Sequence, residues 1–333
     1  MSRPVRVGVV GAGSAAQVVH LPILARLREV EIAGVVDPVA DKARTIADRF
    51  EASGSAPSLE ELSGLEELDA VVVCSPNDAH EEGVRTALDA GLHVLCERPI
   101  APSSEAAGRM LRAADEADRH LMVAMNHRYR LDLRHMRQFV LSGEIGEPFF
   151  VRASWLNQRE GRPRRGWRRE PERAGGGVLM DLGVSALDAA LWLLDYPEVE
   201  QVTAHFHRGD RVEETAAVLM RLEDGVTVSA EVSWELVGEG SRNGLFALGS
   251  EGSAETPPLK LLREMETGPA DVTPPLEADE GNVYTASYRH EWESFLRLIR
   301  GAEEPDDGRE QVELMRVVEA CYRSAREGRE VGV

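Results

Sequence analysis

The turn Gly11-Ala12-Gly13-Ser14-Ala15-Ala16 lies between the apolar run Arg6-Val7-Gly8-Val9-Val10 and a helical pattern from about Ala15 to Leu27. A second apolar run, Glu31-Ile32-Ala33-Gly34-Val35-Val36, ends in Asp37, 21 positions after Ala16. Strand, glycine turn, helix, strand and acid in that order make a βαβ unit, and nothing else in the chain restricts its fold as much. Such a crossover is right-handed and leaves the glycine turn at the carboxyl edge of a parallel sheet. The first glycine permits the tight turn, the second lets backbone approach a pyrophosphate, and a small residue at Ala16 lets the helix pack on the strand. Gly11, Gly13, Ser14 and Ala15 are therefore expected to hold a dinucleotide. Asp37 is expected to accept from ribose hydroxyls and to repel a 2′-phosphate. No arginine directly follows it, so NAD(H) is expected rather than NADP(H).

The alternation continues through helical stretches near 41–50 and 58–62, the strand Ala70-Val71-Val72-Val73-Cys74, and a helix reaching about Ala90. A strand over 92–96, a helix over 103–119 and the apolar run Leu121-Met122-Val123-Ala124-Met125 complete the first part. Strand ends at Gly11, Asp37, Ser75 and Glu97 should line one edge of the sheet, where open α/β folds bind ligands.

A length of 333 residues, 43% of them hydrophobic, fits about two domains. No apolar run reaches the roughly 18 residues that span a bilayer, and Met1-Ser2-Arg3-Pro4-Val5 runs straight into a strand without room for a signal peptide. Three widely spaced cysteines, Cys74, Cys96 and Cys321, read as reduced core thiols of a cytoplasmic protein, and no Cys/His spacing fits a metal site. The net charge of -20 argues against nucleic-acid binding. Among 38 basic residues only Lys42 and Lys260 are lysines, which fits either a salt-rich cytoplasm or a GC-rich genome.

Several motifs together resemble the glucose–fructose oxidoreductase/inositol dehydrogenase (Gfo/Idh/MocA) family. They are the glycine turn leading to His20-Leu21-Pro22, the loop Ser75-Pro76-Asn77-x-x-His80, and Ala87-Leu88-x-Ala90-Gly91-x-His93-Val94-Leu95-Cys96-Glu97-x-Pro99. Asn126-His127-Arg128-Tyr129, Ser142-Gly143-Glu144-Ile145-Gly146-Glu147-Pro148, Gly175-Gly176-Gly177-x-x-x-Asp181-x-Gly183 with Asp188, and the tail from Asp307-Gly308-Arg309 to Ser324 fit the same pattern. The resemblance implies an α/β chain: a Rossmann domain over 1–122, then an α/β domain with a large, mostly antiparallel sheet over 123–333, its C-terminal helices covering the domain junction. Strand-like runs at 148–157, 199–208, 215–222, 226–234 and 244–248, and helices near 288–300 and 308–326, agree with it. Trp155, Phe206 and Trp234 are expected in the sheet core or against another subunit, since family members commonly form homodimers or homotetramers through this sheet. Ser75, Asn77, His80 and Glu97 join the expected cofactor residues.

The chain departs from the family at two places. Glu97-Arg98-Pro99 stands where family dehydrogenases carry Glu-Lys-Pro, and Ser185 stands where the family has a histidine four residues after the aspartate of the glycine-rich segment, here Asp181. In the family, lysine, aspartate and histidine surround the carbon that exchanges hydride, and lysine and histidine handle the proton. Arginine stays charged above pH ~12, so it polarises but hardly shuttles protons. Arg98 could stabilise an oxyanion while a water, Asp181 or Tyr129 moves the proton. It could instead anchor a substrate carboxylate or phosphate, or simply pair with Glu97 or Asp181 at a lapsed site.

Arg98, Asp181 and Ser185 are the candidate catalytic positions, and Arg98, Asn126, Trp167 and Asp181 the candidate substrate contacts. The arginine-rich segment 159–173 around Trp167 reads as an anion-recognising lid or as a solvated loop, and charge runs are more often solvated. His135 is expected at the surface or in packing, His127 lies near the expected cleft, and His205 and His207 follow ordinary strand alternation. The reading that follows is an NAD(H)-dependent oxidoreductase acting on a sugar, cyclitol or polyol, with no nucleic-acid or membrane partner. A nucleotide-binding protein without turnover, and an NAD-assisted non-redox enzyme such as a glycosidase, are the alternatives.

Overall fold

A computed structural model describes residues 3–159, 166–276, 283–305 and 308–333. The chain divides into two units, Met1–Met125 with Tyr288–Val312, and Asn126–Ser287 with Glu313–Val333.

The first unit carries a parallel sheet of β1 (Val5–Val10), β2 (Val30–Val36), β3 (Gly54–Ala56), β4 (Ala70–Val73), β5 (His93–Cys96) and β6 (Leu121–Val123). The strand order is β3-β2-β1-β4-β5-β6, so the direction of winding reverses between β1 and β4. At such a reversal the loops after the two strands part and leave a crevice at the carboxyl edge. All four residues of β4 are buried, as expected of a parallel strand covered on both faces. Helices Ala40–Arg49, Leu59–Leu65, His80–Asp89 and Ser104–Ala117 follow the predicted periods. Ser58 and Ser103 start two of them by accepting from the Glu61 and Ala106 amides at 3.3 and 3.2 Å.

The first helix is shorter than its sequence pattern: a π turn at Ala16–His20 passes into an α segment that ends at Leu24. β3 is not predicted by the sequence pattern, because Gly-Ser-Ala has no apolar period. The core joins Val7, Val9, Leu24, Val35, Val72 and Leu95 to Tyr288, Trp292 and Phe295 of the helix Val283–Ile299.

Among the described residues, the second unit is built on nine strands: β7 (Pro148–Gln158), β8 (Val199–Arg208), β9 (Glu213–Leu222), β10 (Thr227–Leu236), β11 (Arg242–Gly249), β12 (Gly252–Thr256), β13 (Lys260–Met265), β14 (Gly268–Asp271) and β15 (Val331–Gly332). Their order is β14-β13-β12-β11-β7-β10-β9-β8-β15. Only β7 and β10 pair in parallel, so the sheet is mostly antiparallel as expected. Trp155 and Trp234 point into its core, and Phe206 meets Tyr322 edge-on at 5.2 Å. The segment Pro171–Leu193 has the length and composition of a membrane span. Of its most apolar 18-residue window, 89% is nonetheless buried inside the protein, so it serves as a core element.

Candidate active site

In the first unit, Gly11 has φ +94°, and a Cβ there would lie 2.8 Å from the Ser75 amide nitrogen and 2.9 Å from the Cys74 carbonyl. The β1 turn and the β4 turn touch at that glycine, which no side chain could replace without moving one of them. At Gly13 the nearest heavy atom to an added Cβ is the Cys74 carbonyl oxygen, 3.8 Å away, so this backbone stays open to a ligand. Ala16 is fully buried under the helix, whereas Ser14 is exposed at its start. The Ser75 hydroxyl is buried without a hydrogen-bond partner among the described residues. An open glycine backbone, a helix start and an orphaned hydroxyl at one sheet edge fit a dinucleotide pyrophosphate.

Asp37 ends β2 nearly buried, and its carboxylate accepts from the Ala12 amide and the Val39 amide, both at 3.1 Å. The Lys42 ammonium donates to the same carboxylate at 2.6 Å. The expectation of NAD(H) rests on the residues directly after Asp37, and this lysine lies beyond them. Its spacing, five residues on at the start of the Ala40–Arg49 helix, was the available signal.

Around β5 the buried polar groups form a chain. Trp292 Nε1 donates to His20 Nδ1 at 3.1 Å, which leaves the His20 proton on Nε2, directed at Glu97 Oε1 at 3.0 Å. The Arg98 amide donates to Glu97 Oε2 at 3.2 Å. Burial alone would push the Glu97 carboxyl up, but the His20 bond and the Arg98 charge outweigh it and hold it at about 2. The Arg98-Pro99 peptide is cis. His80 is buried, with its two ring nitrogens on the carbonyls of Pro99 (2.9 Å) and Ser75 (3.0 Å). It ties the β4 turn to the β5 turn, and burial lowers its pKa against the pull of those carbonyls. Asn77 is buried on the same loop.

In the second unit, Asp181 sits in a π turn, Leu179–Gly183, at the entrance of the helix Val184–Leu193. Trp234 Nε1 donates to its Oδ2 at 3.0 Å and Arg168 Nε to its Oδ1 at 3.3 Å. The Arg168 guanidinium lies 4.4 Å over the Trp167 ring, and Arg169 pairs with Glu214. The described part of the arginine segment is thus engaged with acids of its own unit, Asp181 among them. Arg162, Arg164 and Arg165 lie outside the described residues. Ser185 is buried, and its hydroxyl has no partner among the described residues.

Asp188, one helical turn on, is fully buried and collects Arg128 at 2.8 and 2.5 Å, His127 Nε2 at 2.7 Å and the Tyr196 hydroxyl at 2.5 Å. Burial opposes its charge, but Arg128 and His127 together keep it ionised, far below the usual carboxylate range. His127 therefore serves this carboxylate, and Asn126 donates to the Ser287 hydroxyl at 2.9 Å. Glu213, also unanticipated, is buried; its carboxylate takes the Gly177 and Leu179 amides at 2.8 and 3.2 Å and the Tyr322 hydroxyl at 2.6 Å. It anchors the glycine segment that leads to Asp181.

Residues 5–125 match a family described as an oxidoreductase family with an NAD-binding Rossmann fold, and residues 133–255 match the GFO/IDH/MocA C-terminal domain. The chain is 35% identical over 204 residues to D-glucoside 3-dehydrogenase of Escherichia coli (strain K12), spanning 61% of this chain and 58% of that protein, which is less than two thirds of its length. It is 32% identical over 254 residues to 1,5-anhydro-D-fructose reductase of Ensifer adhaerens, covering 71% of this chain and 74% of that one. Among solved structures, GenD2 from gentamicin A biosynthesis in complex with NAD superposes with a TM-score of 0.86 at 26% identity, over 100% of this chain and 97% of that one.

Proposed function

This chain belongs to the Gfo/Idh/MocA oxidoreductase family, and from that premise we propose that it is an NAD(H)-dependent oxidoreductase acting on a sugar, cyclitol or related polyol. The observation that carries this reading is the intact nucleotide edge: the Gly11 turn closed on Ser75, the open Gly13 backbone and the carboxylate of Asp37. Bound there, the nicotinamide supplies a hydride donor or acceptor. The chain supplies charge and orientation.

Arg98, its backbone anchored on Glu97, takes the electrostatic half of the lysine's work and stabilises negative charge developing on the substrate oxygen. Within the second unit, Trp234 and Arg168 fix the two oxygens of Asp181, the carboxylate that the family pattern assigns to the reaction. An anionic substrate group would compete with Asp181 for Arg168, which gives sugar acids a place in the substrate panel. Assembly through the large sheet as a homodimer or homotetramer is part of the proposal, supported by the half-exposed Leu219 on β9. A cytoplasmic setting is supported by three free, buried thiols.

The test is NADH titration followed by an absorbance assay at 340 nm across polyols, sugars and sugar acids, on wild type and Arg98→Lys together. Turnover by the wild type, reduced in the variant, is expected. Absence of NADH binding in both would overturn the cofactor assignment. A second reading, a nucleotide-binding protein without turnover, draws on the double replacement at Arg98 and Ser185 and on the unpartnered Ser185 hydroxyl. It is favoured if wild type binds NADH without turning over any substrate while Arg98→Lys combined with Ser185→His gains activity.

A further inference from the structure

The helix Val283–Ile299 lays a stripe of Tyr288, Trp292, Phe295 and Leu296 on the core of the first unit. Glu291 falls within that stripe. It is wholly buried, and neither carboxyl oxygen has a hydrogen-bond partner among the described residues. An ionised carboxylate without donors is strongly disfavoured in such a place, and such a group neutralises instead.

The neighbourhood is the polar chain already described. Trp292, the next residue, holds His20, His20 holds Glu97, and Glu97 accepts from the Arg98 amide. The charges facing Glu291 from the β5 turn are Glu97, which repels its ionised form, and Arg98, which attracts it. His20, from the first helix, is engaged by Trp292 and Glu97. On its own helix, Arg289 pairs with Glu293 at 3.9 Å and lies 3.4 Å from the His290 ring nitrogen. Burial pushes the Glu291 carboxyl well above its ordinary range, Glu97 adds to the shift, and Arg98 opposes it without cancelling it.

We infer that Glu291 is a neutral carboxylic acid in the resting protein and a positioning residue for Arg98. Protonated, it adds no charge to the Glu97–Arg98 pair. Ionised, it would add a second carboxylate charge to the field acting on Arg98 and turn the net charge of the three groups negative, opposing an oxyanion that Arg98 would otherwise stabilise. The kinetic part of this inference rests on the oxyanion role proposed for Arg98, and the protonation state of Glu291 does not.

Two measurements on the protein without substrate test it directly. Infrared spectra of ¹³C-glutamate-labelled protein should show a protonated carboxyl band at pH 7 in wild type and in Ser185→Ala, and no such band in Glu291→Gln. Absence of a Glu291-dependent band at pH 7 would overturn the inference. The ¹⁵N resonance of the Arg98 guanidinium, assigned by its loss in Arg98→Lys, should shift on the alkaline side together with disappearance of the band. It should stay fixed in Glu291→Gln, or in Glu291→Met if the glutamine variant folds poorly. An Arg98 resonance that ignores the loss of the band removes the positioning role.

With a substrate in hand, wild-type kcat/KM should fall on the alkaline side by about tenfold per pH unit once Glu291 ionises, and Glu291→Gln should lack that limb. An identical limb in both proteins would also overturn the positioning role. Failure of NADH to bind sinks the oxidoreductase reading and leaves the two spectroscopic outcomes to decide Glu291.

Discussion

Lys42 is one of two lysines in the chain, and its ammonium lies 2.6 Å from Asp37. The carboxylate repels a 2′-phosphate, while the lysine beside it would attract one as soon as the carboxylate is gone. Asp37→Ser should therefore lose roughly 10- to 100-fold in NADH affinity, the range of a hydrogen bond to a charged group, and gain in NADPH affinity. Adding Lys42→Ala should abolish the gain. Fluorescence titration of both nucleotides measures this, and an NADPH gain that survives the second substitution would remove Lys42 from the account.

Glu97 gives a stability prediction with a definite sign. Its folded pKa of about 2 lies below the ordinary carboxylate value of 4.5, so the folded state binds fewer protons than the unfolded one between them. The stabilisation is full above about 4.5 and is lost as the pH falls toward 2, and Asp188 shifts in the same direction. Urea unfolding should show a steeper acid loss in wild type than in Glu97→Gln, with the variant less stable at pH 7 by about a few kcal/mol. Equal pH slopes would contradict it. Gly11 and Asp37 were legible in the sequence because a turn and a strand end impose their residue types. His20, which holds Glu97 from another segment, has no such local rule, since its partners lie 77 and 272 positions away.

Both π turns in the described residues stand at the entrance of an α segment and carry a polar group: Ala16–His20 ends in the histidine that holds Glu97, and Leu179–Gly183 contains Asp181. An extra residue per turn re-aims the side chains after it, and such bulges recur at functional sites. A sequence pattern with a 3.6 period cannot show them, which is why it predicts one continuous run to Leu27 for the first helix. The strands of the parallel sheet other than β3 were legible as unbroken apolar runs. β12 to β15 were not, being short or polar and held by their neighbours in the sheet. Glu291 carried a signal that periodicity does expose, a carboxylate at a core position of an amphipathic helix. Glu213 acts at this scale too, because one carboxylate satisfies two amides of the glycine segment and the Tyr322 hydroxyl. Glu213→Ala should cost about 3–5 kcal/mol, since it strands buried donors, and Tyr322→Phe should cost less. Chemical denaturation of the three proteins checks the order. A Glu213→Ala loss under about 1 kcal/mol would mean that the segment finds other acceptors.

Across the whole molecule, 58 acidic residues face 38 basic ones, and the formal net charge of -20 acts on stability through self-repulsion. Many of the arginines sit in ion pairs, such as Arg109 with Glu81 and Glu105, or Arg297 with Glu303. Exposed pairs of this kind contribute about 0–1 kcal/mol each and are screened by the same salt that screens the repulsion. The two effects oppose each other, and the excess of acid decides the balance: pairing can neutralise the basic residues, but it leaves the surplus carboxylates facing one another. Raising ionic strength from about 0.1 to 1 M shortens the screening length from about 10 to 3 Å, which removes repulsion between carboxylates that are not in contact and leaves contacting pairs partly intact. The Tm should therefore rise by several degrees in potassium chloride over that range. Reversing the charge of a few exposed acids outside these pairs, for instance Glu60→Lys with Asp89→Lys, should raise the low-salt Tm and shrink the salt response together. A Tm that is flat or falls in potassium chloride would mean that the ion pairs outweigh the repulsion. The scarcity of lysine would then be a matter of codon usage and carry no adaptation to salt.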